Sequence, residues 1–164
     1  MKRLIAFFVS YAHANQRLAD DFLTRLREQM APSRAYDYRL WRDTMLLVGE
    51  DWDREIKAAL EGSELGLLLL SPAFLGSDYI ARIEWPHFLV TGKPVIPVML
   101  EPVHFARYDL RGLEEKQIFR YTPTPGAPPC AYADCRGASQ RRFVEALFLQ
   151  IEKRLDKLAS ASTP

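Results

Sequence analysis

Two stretches of the chain are almost entirely apolar over the length of a single β-strand. Residues 4–9 read LIAFFV and residues 65–70 read LGLLLL, without a charged residue in either. A strand of this kind must be covered on both faces, which is the situation of a central strand in a parallel sheet. Parallel strands need crossover connections, and these are usually helices. The two stretches therefore restrict the chain to an α/β fold.

Segments with the periodicity of amphipathic helices alternate with the apolar strands. Residues 15–30, for example, carry an apolar residue at every fourth position, and Asn15 is a suitable N-cap. We expect helices at about residues 15–30, 51–61, 77–91 and 139–159, and further strands at 38–41, 95–100 and, more weakly, 117–121. This alternation predicts a doubly wound α/β sheet of five parallel strands with helices on both faces.

Length and composition indicate one globular domain. The chain has 164 residues, of which 48% are apolar and 26% charged, as in soluble proteins with a normal core. We expect a single domain at residues 1–158 and a tail, or the start of a linker, at residues 159–164.

The charge balance and the cysteines limit the partners and the compartment. A formal net charge of +1 predicts no direct binding to nucleic acid or to a membrane surface. No apolar run is long enough to cross a bilayer. The apolar start of the chain reads as a buried strand because no cleavage site follows it. Cys130 and Cys135 then suggest free thiols in the cytoplasm, and we expect no metal site.

The predicted topology places a crevice at the carboxyl ends of the strands, where the winding direction reverses. Loops after the first three strands converge there, so Tyr11, residues 43–49 and Glu84 are expected to share one site. Glu84 is unusual because Ile80 and Phe88, four residues before and after it, are apolar. The alternative is that Glu84 is a solvated helix charge, the usual position of a glutamate. Pro86 is expected to kink this helix.

Several common active sites are absent from the sequence. It contains no G-x-x-x-x-G-K-[ST] phosphate loop, no G-x-G-x-x-G dinucleotide motif and no G-x-S-x-G nucleophile motif. A phospho-receiver with the same layout would carry acidic residues after the first and third strands. Those positions read SYAH and LSPA instead.

Four motifs in order resemble the bacterial Toll/interleukin-1 receptor (TIR) domain family. They are FFVSYAH, LWRD with GEDW, LLLLSPAFLGSDYIARIEW, and GKPVIPVML, which together cover about residues 4–100. The resemblance implies a flavodoxin-like sheet with strand order 2-1-3-4-5.

The resemblance also implies an activity, since many TIR domains cleave NAD+ between nicotinamide and ribose with one glutamate on the helix after the third strand. Glu84 matches that position. NAD+ is then the substrate, no cofactor is needed, and the product is ADP-ribose or a cyclic form of it.

Further site residues are implied by the same match. Asp43 and Gly49 occupy motif positions in a loop that borders the nucleotide and often mediates assembly, although both also suit a purely structural turn. Tyr79 and Ile80 replace the tryptophan or cysteine found in many members. The substrate-binding residues implied are Ser10, Tyr11, Asp43, Gly49, Ser77, Tyr79 and Ile80.

Family members of this kind are effectors of bacterial anti-phage immunity that become active when they self-associate. The resemblance therefore implies other TIR domains as partners and a sensor that is either separate or fused. The alternative is a non-catalytic TIR scaffold or adaptor, including a mimic of host signalling, that acts through homotypic contacts alone.

Overall fold

A four-stranded parallel sheet forms the centre of the molecule, as seen in a computed structural model that describes residues 1–42, 50–78, 80 and 85–162. The strands lie in the order β2-β1-β3-β4 and all neighbours are parallel. Their bounds are β1 Arg3–Ser10, β2 Tyr36–Arg42, β3 Leu65–Leu70 and β4 Val95–Met99. The predicted α/β class and the order of these four strands are confirmed.

Helices connect the strands. In the described part of the chain they are α1 Gln16–Met30, α2 Glu50–Gly62, α3 Pro72–Leu75, α4 Trp85–Thr91 and α5 Ala138–Ala161. Single 3₁₀ turns occur at His13–Asn15, Leu113–Glu115 and Tyr132–Asp134. Since α5 continues to Ala161, residues 159–161 of the expected tail are helical.

Both faces of the sheet are covered, which accounts for the apolar strands. In β1, Phe7 faces a core formed with α1 and α5, whereas Phe8 faces a core formed with α2, α3 and α4. In β3, Leu67 and Leu68 divide in the same way. Alternate side chains of one strand thus serve two separate cores, so neither face tolerates a charge.

The predicted fifth strand at residues 117–121 is reduced to one residue. Phe119 pairs with Val98: its N–H donates to Pro97 O at 2.8 Å, and its O accepts from Met99 N at 2.9 Å. The preceding bond of a parallel ladder would need an N–H at Pro97, which proline lacks. On the other side, Tyr121 exchanges both backbone bonds with Cys130. The prediction of five strands is therefore wrong in number, although this segment does lie beside β4.

One local prediction is also corrected. Asn15 precedes α1 but makes no side-chain capping bond, because its amide is used elsewhere. Pro86 lies in α4, but the kink expected there involves residues 81–84, which lie outside the described residues. The kink therefore stays a prediction.

Candidate functional site

The winding of the sheet reverses between β1 and β3. The chain leaves β1 towards α1 on one face and leaves β3 towards α3 and α4 on the other. Splayed connections of this kind open a crevice at the carboxyl ends of the two strands. Ser10 ends β1 and Ser71 follows β3, and both are buried, with 1% and 0% of their surface exposed.

Ser10 and Tyr11 lie at the carboxyl end of β1, and their role in binding stays a prediction. Ser10 is paired with Leu68 of β3, which fixes its position at the edge of the sheet. Tyr11 comes directly after it, and its half-buried ring packs against the core under α1. The β1 side of the crevice therefore has a small hydroxyl and a partly exposed aromatic ring.

Ser77 and Ile80 lie on the β3 side. Ser77 Oγ accepts a hydrogen bond from Ile80 N at 3.4 Å, and Ile80 is buried in the core under α2, α3 and α4. Arg111 Nε donates to Leu75 O at 3.2 Å, so its guanidinium borders the same loop. Ser77, Ile80 and Arg111 line a cavity of about 10 Å³, which is too small for more than one water.

The segment that carries the predicted catalytic residue is described only at its two ends. Ile80 and Phe88 are 6% and 2% exposed and belong to the same core, as expected for positions four residues before and after Glu84. Glu84 itself, together with Asp43, Gly49 and Tyr79, lies outside the described residues. That Glu84 interrupts a buried apolar stripe therefore stays a prediction, with both flanking apolar residues buried.

A polar cluster that the sequence did not predict joins the loops after three strands. Ser71 Oγ donates to Asn15 Oδ1 at 2.6 Å, and Asn15 Nδ2 donates to Glu101 Oε1. Ser71 Oγ also accepts from Phe74 N at 3.0 Å and so caps α3. The signal in the sequence is weak, since Asn15, Ser71 and Glu101 are far apart and only the topology brings the strand ends together.

One buried polar atom of α4 has no partner among the residues that the structure describes. His87 Nε2 is buried and makes no hydrogen bond to the described residues. Buried nitrogens are normally paired, and His87 lies three residues after Glu84 in the sequence.

A larger groove of about 700 Å³ lies away from the crevice, along Phe119 and the second half of α5. Its charged lining residues are Arg120, Lys153, Arg154 and Lys157. The groove borders the sheet edge beside β4, so it is separate from the residues that the sequence assigned to the site.

The cysteines lie near the start of α5 as thiols. The sulfurs of Cys130 and Cys135 are 3.8 Å apart. Burial, followed by the hydrogen bond to Cys130, raises the pKa of the Cys135 thiol to about 11. No group of three or more His, Cys, Asp or Glu side chains suited to a metal ion occurs among the described residues. Within the same residues, no helix has the length and apolarity needed to cross a membrane.

Comparison with known proteins gives one family and one relative. A family model described as a TIR domain matches residues 7–125, which is more than half of the chain. The uncharacterized protein y4lF of Sinorhizobium fredii is 27% identical over 161 residues, which are 95% of this chain and 44% of that protein. The chain thus spans less than half the length of this relative.

Proposed function

The chain belongs to the TIR domain family, and on that premise we propose that it cleaves NAD+ with Glu84 as the catalytic residue. The observation that carries the proposal is the position of Glu84 in the chain. It follows β3, whose carboxyl end borders the crevice, and lies between Ile80 and Phe88, which are both buried. Glutamates mostly lie on exposed faces, so a carboxylate between two buried apolar positions supports a functional role.

The proposed reaction needs only one carboxylate. The bond between ribose C1′ and the nicotinamide nitrogen breaks, its electron pair goes to that nitrogen, and neutral nicotinamide leaves. The ribose becomes an oxocarbenium ion, which the carboxylate of Glu84 stabilises by its negative charge. Water then attacks C1′ and loses a proton to give ADP-ribose, or the substrate's adenine attacks and gives a cyclic form.

The substrate is proposed to lie in the crevice between β1 and β3. Tyr11 offers an aromatic face on which a ring of NAD+ stacks, and Ser77, which is half-buried, offers a hydroxyl on the other side. Ser10 is only 1% exposed, so it would support the site from beneath without presenting its hydroxyl. The family match adds Asp43, Gly49, Tyr79 and Ile80 to the proposed binding residues. Ile80 would act from the core, since it is only 6% exposed.

Activity is proposed to depend on self-association in the cytoplasm, in an effector of anti-phage immunity with a separate or fused sensor. An exposed apolar pair supports association: Leu89 and Val90 of α4 are 58% and 86% exposed. Large exposed apolar patches mark contacts with other proteins, and we propose that this pair is part of such a contact.

The same observation favours a second candidate, a TIR scaffold without catalysis. Such a scaffold would use surfaces like Leu89 and Val90 for homotypic contacts and would need no substrate. The two candidates differ in one respect that is simple to measure, namely whether NAD+ is consumed.

The test is incubation of the concentrated protein with NAD+, with and without a crowding agent, followed by chromatography. We expect nicotinamide to appear together with ADP-ribose or a cyclic isomer. The rate per molecule should fall on dilution, because association is needed. Intact NAD+ after incubation with protein shown by light scattering to be assembled would contradict the proposal and favour the scaffold.

A further inference from the structure

We propose that Asn15 is a positioning residue for the crevice, acting through Ser71 on one side and Glu101 on the other. The proposal rests on the proposed function, since it concerns the geometry of the same site. It starts from the cluster in which one amide joins the loops that follow β1, β3 and β4.

The chemistry of the cluster requires an amide at position 15. Ser71 donates its hydroxyl proton to Asn15, so an acceptor oxygen is needed there. Glu101 accepts from Asn15, so a donor nitrogen is needed as well. Among side chains in their ordinary ionisation state at neutral pH, only those of Asn and Gln present a donor and an acceptor side by side in this way. An aspartate would keep the bond to Ser71 but would face the carboxylate of Glu101 with a second negative charge.

Burial makes this contact costly to break. Ser71 is fully buried and Asn15 is 8% exposed, while Glu101 is half-buried. A buried group that loses its partner costs more than the bond itself contributed, because water cannot replace the partner. The ends of β1 and β3 are thus held in one arrangement by Asn15 and Ser71.

The loops held in this way are those that carry the proposed site. Tyr11 lies four residues before Asn15, on the β1 side. On the β3 side, Ser71 caps α3, and Leu75 N and Ser77 N bond to Ser71 O and Phe74 O, each at 3.1 Å. Glu84 follows seven residues after Ser77 in the sequence. The two loops that flank the proposed site are therefore joined at Asn15 and Ser71.

Asn15 is expected to affect kcat more than KM, because it is proposed to place the reacting groups without touching the substrate. A misplacement of about 1 Å costs up to about 100-fold in rate. We therefore expect Asn15→Asp to lower kcat by about 10- to 100-fold with a small change in KM. Glu101→Gln should lower kcat much less, because the new amide oxygen still accepts a hydrogen bond from Asn15.

The decisive test swaps the amide at position 15 with the carboxylate at position 101. In the double variant Asn15→Asp with Glu101→Gln, the glutamine nitrogen donates to the new aspartate, and the aspartate still accepts from Ser71. We expect the double variant to regain most of the kcat that Asn15→Asp loses. Glu145→Gln, on the exposed face of α5, serves as the unchanged control. A wild-type kcat in Asn15→Asp, or a double variant no better than that single variant, would overturn the proposal.

A second measurement separates this proposal from the proposed function. Hydrogen exchange of the backbone amides of Phe74, Leu75 and Ser77 reports the β3 loop without any substrate. We expect faster exchange in Asn15→Asp and recovery in the double variant. Unchanged exchange would show that Asn15 does not hold this loop. If the wild-type protein left NAD+ intact while hydrogen exchange followed this pattern, the proposed NAD+ cleavage would be contradicted. The role of Asn15 in holding the β3 loop would still be supported.

Discussion

Three tyrosine hydroxyls bond to carboxylates on the helices that cover the first face of the sheet. Tyr36 donates to Asp156 at 2.6 Å and Tyr38 to Glu152 at 2.8 Å, while Tyr132 of the turn before α5 donates to Asp21 of α1. Burial and then the carboxylate raise the pKa of Tyr38 and Tyr132, whereas the bond to Asp156 is the larger cause for Tyr36. The first two bonds join α5 to β2, and the third joins α1 to the turn before α5.

Tyr36 gives a pH dependence with a defined sign. The bond to Asp156, and then burial, raise the pKa of Tyr36 to about 12. The neutral phenol is therefore favoured in the folded state, and its contribution to stability is complete below the unfolded value of about 10. That contribution is lost as the pH rises from about 10 to about 12. Tyr36→Phe should lower the free energy of unfolding by about 1 kcal/mol at pH 9.

The measurement is urea unfolding of wild type and Tyr36→Phe at pH 9 and at pH 11.5. The difference between the two proteins should shrink at the higher pH. Tyr108→Phe, at a partly exposed position, should have the same free energy of unfolding as wild type at both pH values. A constant difference across this range would contradict the role given to the hydroxyl.

Cys135 is expected to react slowly with thiol reagents. Its raised pKa of about 11 leaves little thiolate at pH 8, and the thiolate is the reactive form. In the wild-type protein, alkylation of Cys135 by iodoacetamide should be about 100-fold slower in the folded state than in urea. Mass spectrometry follows the reaction. Equal rates in the two states would show that Cys135 is not shielded by the fold.

At the scale of elements, α4 packs unusually close to β3. A Cβ built on Gly66 would lie 2.7 Å from Cζ of Phe88, which is far inside normal contact. The absence of a side chain at Gly66 thus allows the Phe88 ring to lie against the strand. The packing of α4, the helix that follows Glu84 in the chain, depends on this contact.

Gly66→Ala should therefore destabilise the fold by about 1–3 kcal/mol through overpacking. Adding Phe88→Leu should recover part of this loss, because the smaller side chain leaves room for the new methyl group. Gly62→Ala is the matched control, since nothing lies within 4 Å of a Cβ at that position. Thermal unfolding measures all four proteins. A melting temperature of Gly66→Ala equal to that of Gly62→Ala would contradict this account of the contact.

The elements show which parts of the fold a sequence reveals. Leu65–Leu70 was predicted to the residue, because burial on both faces leaves a continuous apolar run. The strand at residues 117–121 failed because its pairing depends on distant residues. Pro97 lacks the N–H for one ladder bond, and the backbone of Tyr121 is hydrogen-bonded to that of Cys130. Nothing within the five residues records either fact.

The dependence on residues distant in sequence also explains which parts of the candidate site could be predicted. The strand order predicts where the loops after β1 and β3 meet, and Ser10 and Tyr11 lie at the carboxyl end of β1. The sequence predicts a local role for Asn15, as an N-cap. Its partners in the structure are instead Ser71 and Glu101. Local patterns cannot distinguish a capping asparagine from one that bridges distant loops.

At the scale of the whole molecule, the proposed activity needs a second copy of the chain. If residues 43–49 complete the site of a neighbour, charges on their apolar residues should prevent assembly. Met45→Glu with Leu46→Glu should abolish nicotinamide release by concentrated protein, while the monomer remains folded by circular dichroism. Leu149→Glu is the control, because Leu149 is an exposed apolar residue of α5. Unchanged light scattering and activity in the double variant would show that this segment is not an interface.

The most direct test of the central claim is the rate of nicotinamide release by assembled Glu84→Gln compared with assembled Glu145→Gln. Both changes remove one negative charge and keep the size of the side chain. We expect Glu84→Gln to be at least about 100-fold slower, because the charge that stabilises the oxocarbenium ion is lost. Its melting temperature should match that of Glu145→Gln, which should cleave NAD+ at the wild-type rate. Cleavage by Glu84→Gln at the wild-type rate would contradict the assignment of Glu84 as the catalytic residue.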